Sequence, residues 1–434
     1  MWFALQMSCD RAASRIESPE SLILKTTTLR RHLLDFCALL AIVVVGAPLF
    51  AQDPSVANPA PAPAAVPTEA PAADPAPTPA TPPAPAEPEK DDTAELRRLA
   101  FTDLSKVDAD YHDQGEYVGE IPLDGRPCPI GLQVVALGKG EFNALLYRGG
   151  LPGNGFDGSA RLKLSGSRTG DQVILRNDSL VIYLQTGFAA VVKTTSGERL
   201  GFLQPIKRVS QTMGEKPPAN AIVLFDGNGT DQWANAKVTS DGLLEVGCET
   251  KNVYQNFTLH GEFRTPYMPY ARGQDRGNSG FYLQRRYEVQ VLDSFGLELQ
   301  FNDCASLYKF KAPDLNMSFP PLRWQTYDIT FNAPQFDVCG RRICKGRITV
   351  RHNGIVVQNQ VELENKTGGG RPEGPNPLPI LLQDHHNPVN YRNLWLVDHG
   401  TSNCYLPGWS VGSAPTCCEV PCRLELRQRH HWRR

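Results

Sequence analysis

The chain carries almost no net charge: 44 Lys+Arg against 46 Asp+Glu leave −2 over 434 residues. A nucleic-acid partner calls for a basic field, and there is none. No apolar run reaches the ~20 residues of a membrane span; the best candidate, residues 36–51, is interrupted by Gly46 and Pro48. Helical periodicity is nearly missing. No GxSxG stands at a strand-to-helix turn, no GxxxxGK[ST] loop occurs, and no glycine fingerprint opens a helix as a Rossmann turn does. These absences exclude a serine hydrolase of the usual kind, a P-loop nucleotide enzyme and a dinucleotide-dependent dehydrogenase. No CxxC pair repeats, so a structural zinc site is not supported either.

What is abundant is proline and glycine, 36 and 37 residues, within a chain that is 41% hydrophobic and can therefore form a core. Thirteen prolines fall between Pro54 and Pro88. Residues 52–99 therefore read as a Pro/Ala-rich disordered linker, extended and polyproline-like. Before it, Arg30-Arg31-His32 precedes an apolar run ending in Ala51-Gln52, the layout of a signal peptide. Residues 1–51 are read as an upstream extension plus that signal peptide, with residues 1–29 taken to follow an unused start codon. Cleavage near Ala51 implies a secreted or periplasmic protein. Retention of the apolar run would instead anchor it to a membrane or cell surface. The chain has 11 Cys. Cys339 and Cys344 are either a loop-closing disulfide or two thiols flanking a turn. Residues 400–434 form a basic, Cys-containing tail without periodicity.

Residues 100–212 hold short alternating runs separated by glycine-rich turns, the pattern of a small accessory β domain. A polar, proline-bearing boundary at 213–220 leads to a second β domain, 221–399. Its strand candidates are 222–225, 243–246, 257–264, 280–284, 287–292, 325–331, 347–352, 355–363, 379–383 and 391–397. Such spacing predicts an antiparallel sandwich or jelly roll. Asn353-Gly354 between alternating runs predicts a type I′ hairpin.

Chemistry-bearing residues concentrate in this second domain. In Tyr287-Glu288-Val289-Gln290-Val291-Leu292-Asp293, alternation puts Glu288 and Gln290 on one face of a strand. Tyr282 and Gln284 share a face of the preceding strand, and Glu262 and Arg264 share one of another. Amides, carboxylates and aromatic rings on adjacent strands suit sugar hydroxyls and pyranose faces; the plain alternative is a solvated sheet face. Leu382-Gln383-Asp384-His385-His386-Asn387-Pro388 is denser than packing demands. Histidine there can act as base or metal ligand, or the segment is a capped turn. Asn278-Ser279-Gly280 is a third polar turn.

Five separated motifs then agree in order: Leu224-Phe225-Asp226-Gly227, Asn278 through Gln284, Tyr287 through Asp293, Trp324-Gln325-Thr326-Tyr327-Asp328-Ile329, and Leu382 through Trp395. Together they resemble the 3-keto-disaccharide hydrolase domain family over residues 220–399. The resemblance implies an all-β, concanavalin A-like jelly-roll sandwich, here preceded by the small β domain. It implies cleavage of 3-keto-glycosides, by hydrolysis or by elimination and hydration. A C3 ketone acidifies the C2 proton; a base removes it and the C1 substituent departs. By motif match, His385, Glu288, Asp384 and Arg392 are the catalytic candidates, with His385 or Glu288 as base and Arg392 or a metal steadying the oxyanion. Gln290, Gln383, Gln284, Asn278, Tyr282, Glu262 and Arg264 are substrate-binding candidates. A divalent metal is a candidate cofactor, with Asp384 and His385 as ligands. His386 stands where relatives are expected to have a small turn residue. The expected partner is a small carbohydrate; the other readings are a non-catalytic carbohydrate-binding module and a cell-surface interaction protein.

Overall fold

The computed structural model describes residues 92–123 and 125–401. Residues 1–91, read above as an extension with a signal peptide and a linker, and nearly all of the basic tail lie outside the described residues. Among those described, no helix is long and apolar enough to cross a membrane. Helix is confined to short pieces, Asp92–Arg98 and Ala109–Asp113 among them, and the rest of the regular structure is strand.

Eight antiparallel strands, from Gly115–Leu123 to Arg199–Ile206, close into a barrel because the first also pairs with the last, Glu116 opposite Ile206 through Gly119 opposite Leu203. Strict alternation drives the closure: in Leu180–Gln185 every second residue is buried, and Val134, Val173, Leu175, Ile182 and Val192 fill the interior. Gly166 has to be glycine, since a side chain there would run into the Ile174 carbonyl of the neighbouring strand. The Ala109–Asp113 helix is tied to the barrel by Arg168, whose Nε donates to Asp110 (2.8 Å) and Nη2 to Asp113 (2.7 Å).

The second domain is a sandwich of two antiparallel sheets. One has five strands in the order Trp233–Ala234, Cys248–Thr250, Leu381–Leu382, Ser279–Leu283 and Tyr287–Val291. The other has seven: Leu244–Glu245, Asn390–Gly400, Asn256–Arg264, Gln325–Asn332, Gly346–His352 and Ile355–Leu363 in order, with Ile222–Phe225 also on Asn390–Gly400. Inward residues of both, such as Phe257, Leu259 and Phe263 against Phe281, Leu283 and Val289, make one core. Ser279 and Tyr391 bridge the sheets through their hydroxyls (2.6 Å). The all-β sandwich expected from the strand pattern is the observed fold class. At the Asn353-Gly354 hairpin both residues have positive φ (52° and 84°), as a type I′ turn requires.

The boundary at 213–220 is part of a strap across the outer face of the seven-stranded sheet. Thr212 Oγ1 donates to Asp328 Oδ2 (2.7 Å), Gly214 N–H to Glu262 Oε1 (2.7 Å), and Asn393 Nδ2 and Trp395 Nε1 to Glu215 O (3.0 and 3.2 Å). Cys344 is disulfide-bonded, but Cys339 is not its partner, so the local loop closure does not form.

Candidate active site

In the five-stranded sheet Tyr282 lies opposite Glu288 and Gly280 opposite Gln290. Alternation sends Phe281, Val289 and Val291 into the core and leaves Gly280, Tyr282, Glu288 and Gln290 on the outer face. Gln383 extends this face from the next strand, its backbone N–H donating to Gly280 O (2.9 Å). A β-carbon on Gly280 would lie 2.7 Å from Glu288 Oε1 and 3.3 Å from Gln383 Oε1, so the absent side chain makes room for both.

Loops cover this face. Residues 305–308 pair with the free edge of the Glu288 strand: Gln290 N–H donates to Ser306 O (3.0 Å), and Tyr308 N–H to Glu288 O (3.2 Å). At the same edge Thr367 Oγ1 accepts the Glu288 N–H (2.7 Å), and the Gly369 backbone passes beside the Tyr282 hydroxyl. Glu288 and Gln290 are left only 1% exposed.

Burial sets the electrostatics. Desolvation raises the Glu288 carboxyl to about 7, and neither the Tyr282 hydroxyl nor the Lys309 charge, which act the other way, cancels it. The Gln290 amide is assigned with its nitrogen toward Ser279 O (2.8 Å) and Glu288 Oε1 (3.0 Å). Glu288 Oε2 and Gln383 Oε1 are buried with no protein partner. Burial, and then the neighbouring carboxylate, push the Tyr282 phenol up, so it stays protonated. A half-ionised carboxyl, a protonated phenol and several amides thus share one desolvated face.

Not every expected residue is here. Gln284 leaves the strand at a left-handed turn (φ 50°), and its amide anchors that turn, donating to Tyr254 O (2.8 Å). Glu262, Arg264 and Arg392 do share an outer face, but on the seven-stranded sheet, across the core from Glu288. Arg392 is not the oxyanion stabiliser of this face; its Nε donates to Glu262 Oε2 (2.7 Å) and its guanidinium lies over Trp324 (4.0 Å). Asn278 is buried beside the face, donating Nδ2 to Gln274 O (2.7 Å) and its backbone N–H to Asn387 Oδ1 (2.7 Å). His385 and Asp384 are exposed on the loop after Gln383, and Asp384 Oδ1 accepts the His386 N–H (2.8 Å). His386 has φ 61°, which explains why a small turn residue was expected there.

Asp384 and His385 gather no third ligand. Among the described residues the one such group is Glu215, His260 and Asp328, under the strap. There His260 Nδ1 is hydrogen-bonded to Asp328 Oδ1 (2.6 Å), which argues for an ion-paired imidazole rather than a ligand. Burial would lower the His260 pKa, but hydrogen bonds to Asp328 and Glu262 outweigh it and raise it to about 9. Burial opposes ionisation of Glu262 as well, yet His260, Asn393, Arg392 and Gly214 bring it down to about 2. His260 binds its proton more tightly folded than unfolded. Its contribution is therefore full below the unfolded value near 6.5 and is lost as pH rises through about 9. Denaturant unfolding at pH 6.5 and pH 9.5 is expected to show that loss in the wild type and much less of it in His260→Gln.

The Arg392 placement yields a second expectation. Arg392→Ala uncovers the buried Glu262 carboxylate and loosens the strap, so the melting temperature falls. Turnover should not drop by the ~10²-fold or more that accompanies loss of an acid–base group; thermal melts alongside kinetics test both.

Sequence reading missed Gln274, Thr367 and Lys309. They sit on loops without periodicity; the one local signal was the Gly368-Gly369-Gly370 run, where side chains would strike Tyr308, Tyr282 or the Arg286 backbone.

Residues 220–397 match the family described as the 3-keto-alpha-glucoside-1,2-lyase-like domain. Among solved structures, a candidate glycosyl hydrolase from Parabacteroides distasonis is 33% identical, over 42% of this chain and 84% of that one, with a TM-score of 0.39. A second from the same organism is 18% identical, over 41% of this chain and 94% of that one, with a TM-score of 0.30. No curated protein matches the chain.

Proposed function

Because the chain belongs, through residues 220–397, to the 3-keto-alpha-glucoside-1,2-lyase-like domain family, we propose that its Glu288 face cleaves glycosides whose sugar carries a ketone at C3. The family makes the domain carbohydrate-active and glycoside-hydrolase-like; the ketone at C3 is the proposal. The observation that carries it is Glu288 itself: a buried carboxyl held near 7, with one oxygen unpartnered, facing amide and phenol donors.

Glu288 removes the C2 proton, made acidic by the neighbouring ketone. Negative charge then develops on the C3 oxygen, for which the Gln383 amide is the available donor of the face. The C1–O bond breaks and the leaving oxygen takes a proton, for which the Tyr282 phenol is the available acid. Water added across C1 and C2 completes a net hydrolysis. Export to the periplasm or beyond, suggested by residues 30–52, belongs to the same proposal.

The test is direct. Full-length protein is incubated with methyl 3-keto-α-glucoside, with EDTA and with added divalent ions, and methanol release is followed. Release at a rate proportional to enzyme supports the reading. No release under any condition rejects it, and saturable glycan binding without product would favour a binding module.

A further inference from the structure

Residues 305–308 extend the five-stranded sheet past the Glu288 strand. Leu307 forms an antiparallel bridge with Val289, flanked by the bonds from Gln290 N–H to Ser306 O (3.0 Å) and from Tyr308 N–H to Glu288 O (3.2 Å). Ala305 and Leu307 are fully buried in the sandwich core. Alternation therefore turns Ser306 and Tyr308 the other way, onto the outer face. Ser306 lies opposite Gln290, and Tyr308 opposite Glu288.

Ser306 ends a row that crosses this face. Gln383, Gly280, Gln290 and Ser306 stand side by side on four neighbouring chains. At ~4.8 Å between strands, the two ends of the row are about 14 Å apart along the sheet. The Glu288 carboxyl leans into the row over Gly280, where a β-carbon would meet its Oε1 at 2.7 Å. A carbon held above that carboxyl thus has Gln383 on one side and Ser306 on the other.

The Ser306 hydroxyl has no evident structural task. The residue is 0% exposed, yet Oγ has no partner among the described residues. Burying an unpaired hydroxyl costs free energy, and alanine would fill the same place without that cost. A loop serine commonly turns its hydroxyl back onto nearby backbone. Here the backbone is already satisfied, since the Ser306 N–H donates to Asp303 O (3.0 Å) and its carbonyl accepts from Gln290. Glu288 Oε2 and Gln383 Oε1 are buried and unpartnered on the same face. Glu288 and Gln290, 1% exposed, share the cover of Ser306, so the access that brings a substrate to the carboxyl brings it to this hydroxyl. An alcohol, donor and acceptor at once, satisfies Ser306 whichever way its hydrogen turns.

We propose that Ser306 is a substrate-contacting residue of the Glu288 face, its hydroxyl bonding to one hydroxyl of the keto sugar ring on the side away from Gln383. The proposal rests on the reading of that face given above and adds a contact to it.

Ser306→Ala leaves no buried group newly unpaired, so the melting temperature should hold or rise. Its kcat/KM on methyl 3-keto-α-glucoside should fall ~3–10-fold, the worth of one neutral hydrogen bond, through KM with kcat held. The 2-, 4- and 6-deoxy forms of that glycoside identify the partner. On one of them the wild type should already be as slow as the variant is on the parent glycoside, and the substitution should cost nothing more. An equal loss on all three, or no loss on the parent, overturns the proposal. A melting temperature that falls along with activity makes Ser306 a packing residue and overturns it too. If the wild type cleaves none of these glycosides, the mechanism has failed and the contact is decided by saturation-transfer NMR with methyl α-glucoside. Binding to the wild type that weakens in Ser306→Ala keeps the contact. Equal binding by both proteins, or none by the wild type, overturns it.

Discussion

Glu288→Gln is expected to lower kcat/KM on a 3-keto-glycoside by ~10²–10⁴, the usual worth of a positioned base, while making the protein more stable at pH 8. The two effects have one cause. Folding takes the carboxyl out of water and raises it from 4.5 to about 7. The folded state then binds the proton more tightly than the unfolded state. Stability accordingly falls as pH rises between those values, by up to ~3 kcal/mol for a group this deeply buried. The amide variant keeps the shape and carries no such penalty. The catalytic limb should follow the same titration: kcat/KM of the wild type rises with an apparent pKa near 7, and that limb disappears in the variant. Loss of activity in a protein that melts higher is the signature of a site that trades stability for function. A variant with near wild-type kcat/KM, or a larger loss in His385→Ala, would move the base to the loop.

Alternation made Glu288, Gln290 and Tyr282 visible in the sequence, and the same rule misplaced their companions. Period two distinguishes inward from outward, but a sandwich has two outward faces. Glu262 and Arg264 alternate as cleanly as Glu288 and Gln290, yet their strand pairs with Gln325–Asn332 and with Asn390–Gly400, which carries Arg392, on the far side of the core. Sheet membership depends on pairings between residues distant in sequence, for which no local pattern stands. Barrel closure is the same case, since nothing near Glu116 announces Ile206. Gln284 failed for another reason: two consecutive left-handed residues, Gln284 and Arg285, turn the chain before the strand pattern would end. By contrast Asn353-Gly354 was legible because its turn chemistry is local. The site is thus half readable, the strand residues from their period and the loop residues Gln274, Lys309 and Thr367 only from the fold.

The largest stability effect is expected at the junction of the two domains. Arg208 follows the last barrel strand, with Nε donating to Glu116 Oε2 (2.9 Å), Nη2 to Glu116 Oε1 (2.5 Å) and Nη1 to Pro152 O (2.5 Å). Its guanidinium also lies 5.2 Å from the Phe319 ring, and its own carbonyl accepts from Arg323 Nη2 (2.7 Å), both from the sandwich. Glu116 is 3% exposed and has one other donor, Gln133 Nε2 (3.0 Å). Arg208→Ala therefore strands a carboxylate in the barrel end, a change that costs ~3–5 kcal/mol. At ~4–8 °C per kcal/mol for a domain of about 100 residues, the barrel transition should drop by more than 10 °C. The pair need not be strongly stabilising for this to hold, because the cost is that of an uncompensated charge rather than the worth of the bond. Glu116→Leu with Arg208→Ala removes both charges and should recover much of the loss, giving a coupling energy of matching size in a double-mutant cycle. Calorimetry on the four proteins decides it. If the double variant melts as low as Arg208→Ala, lost packing at Phe319 rather than the stranded carboxylate accounts for the fall.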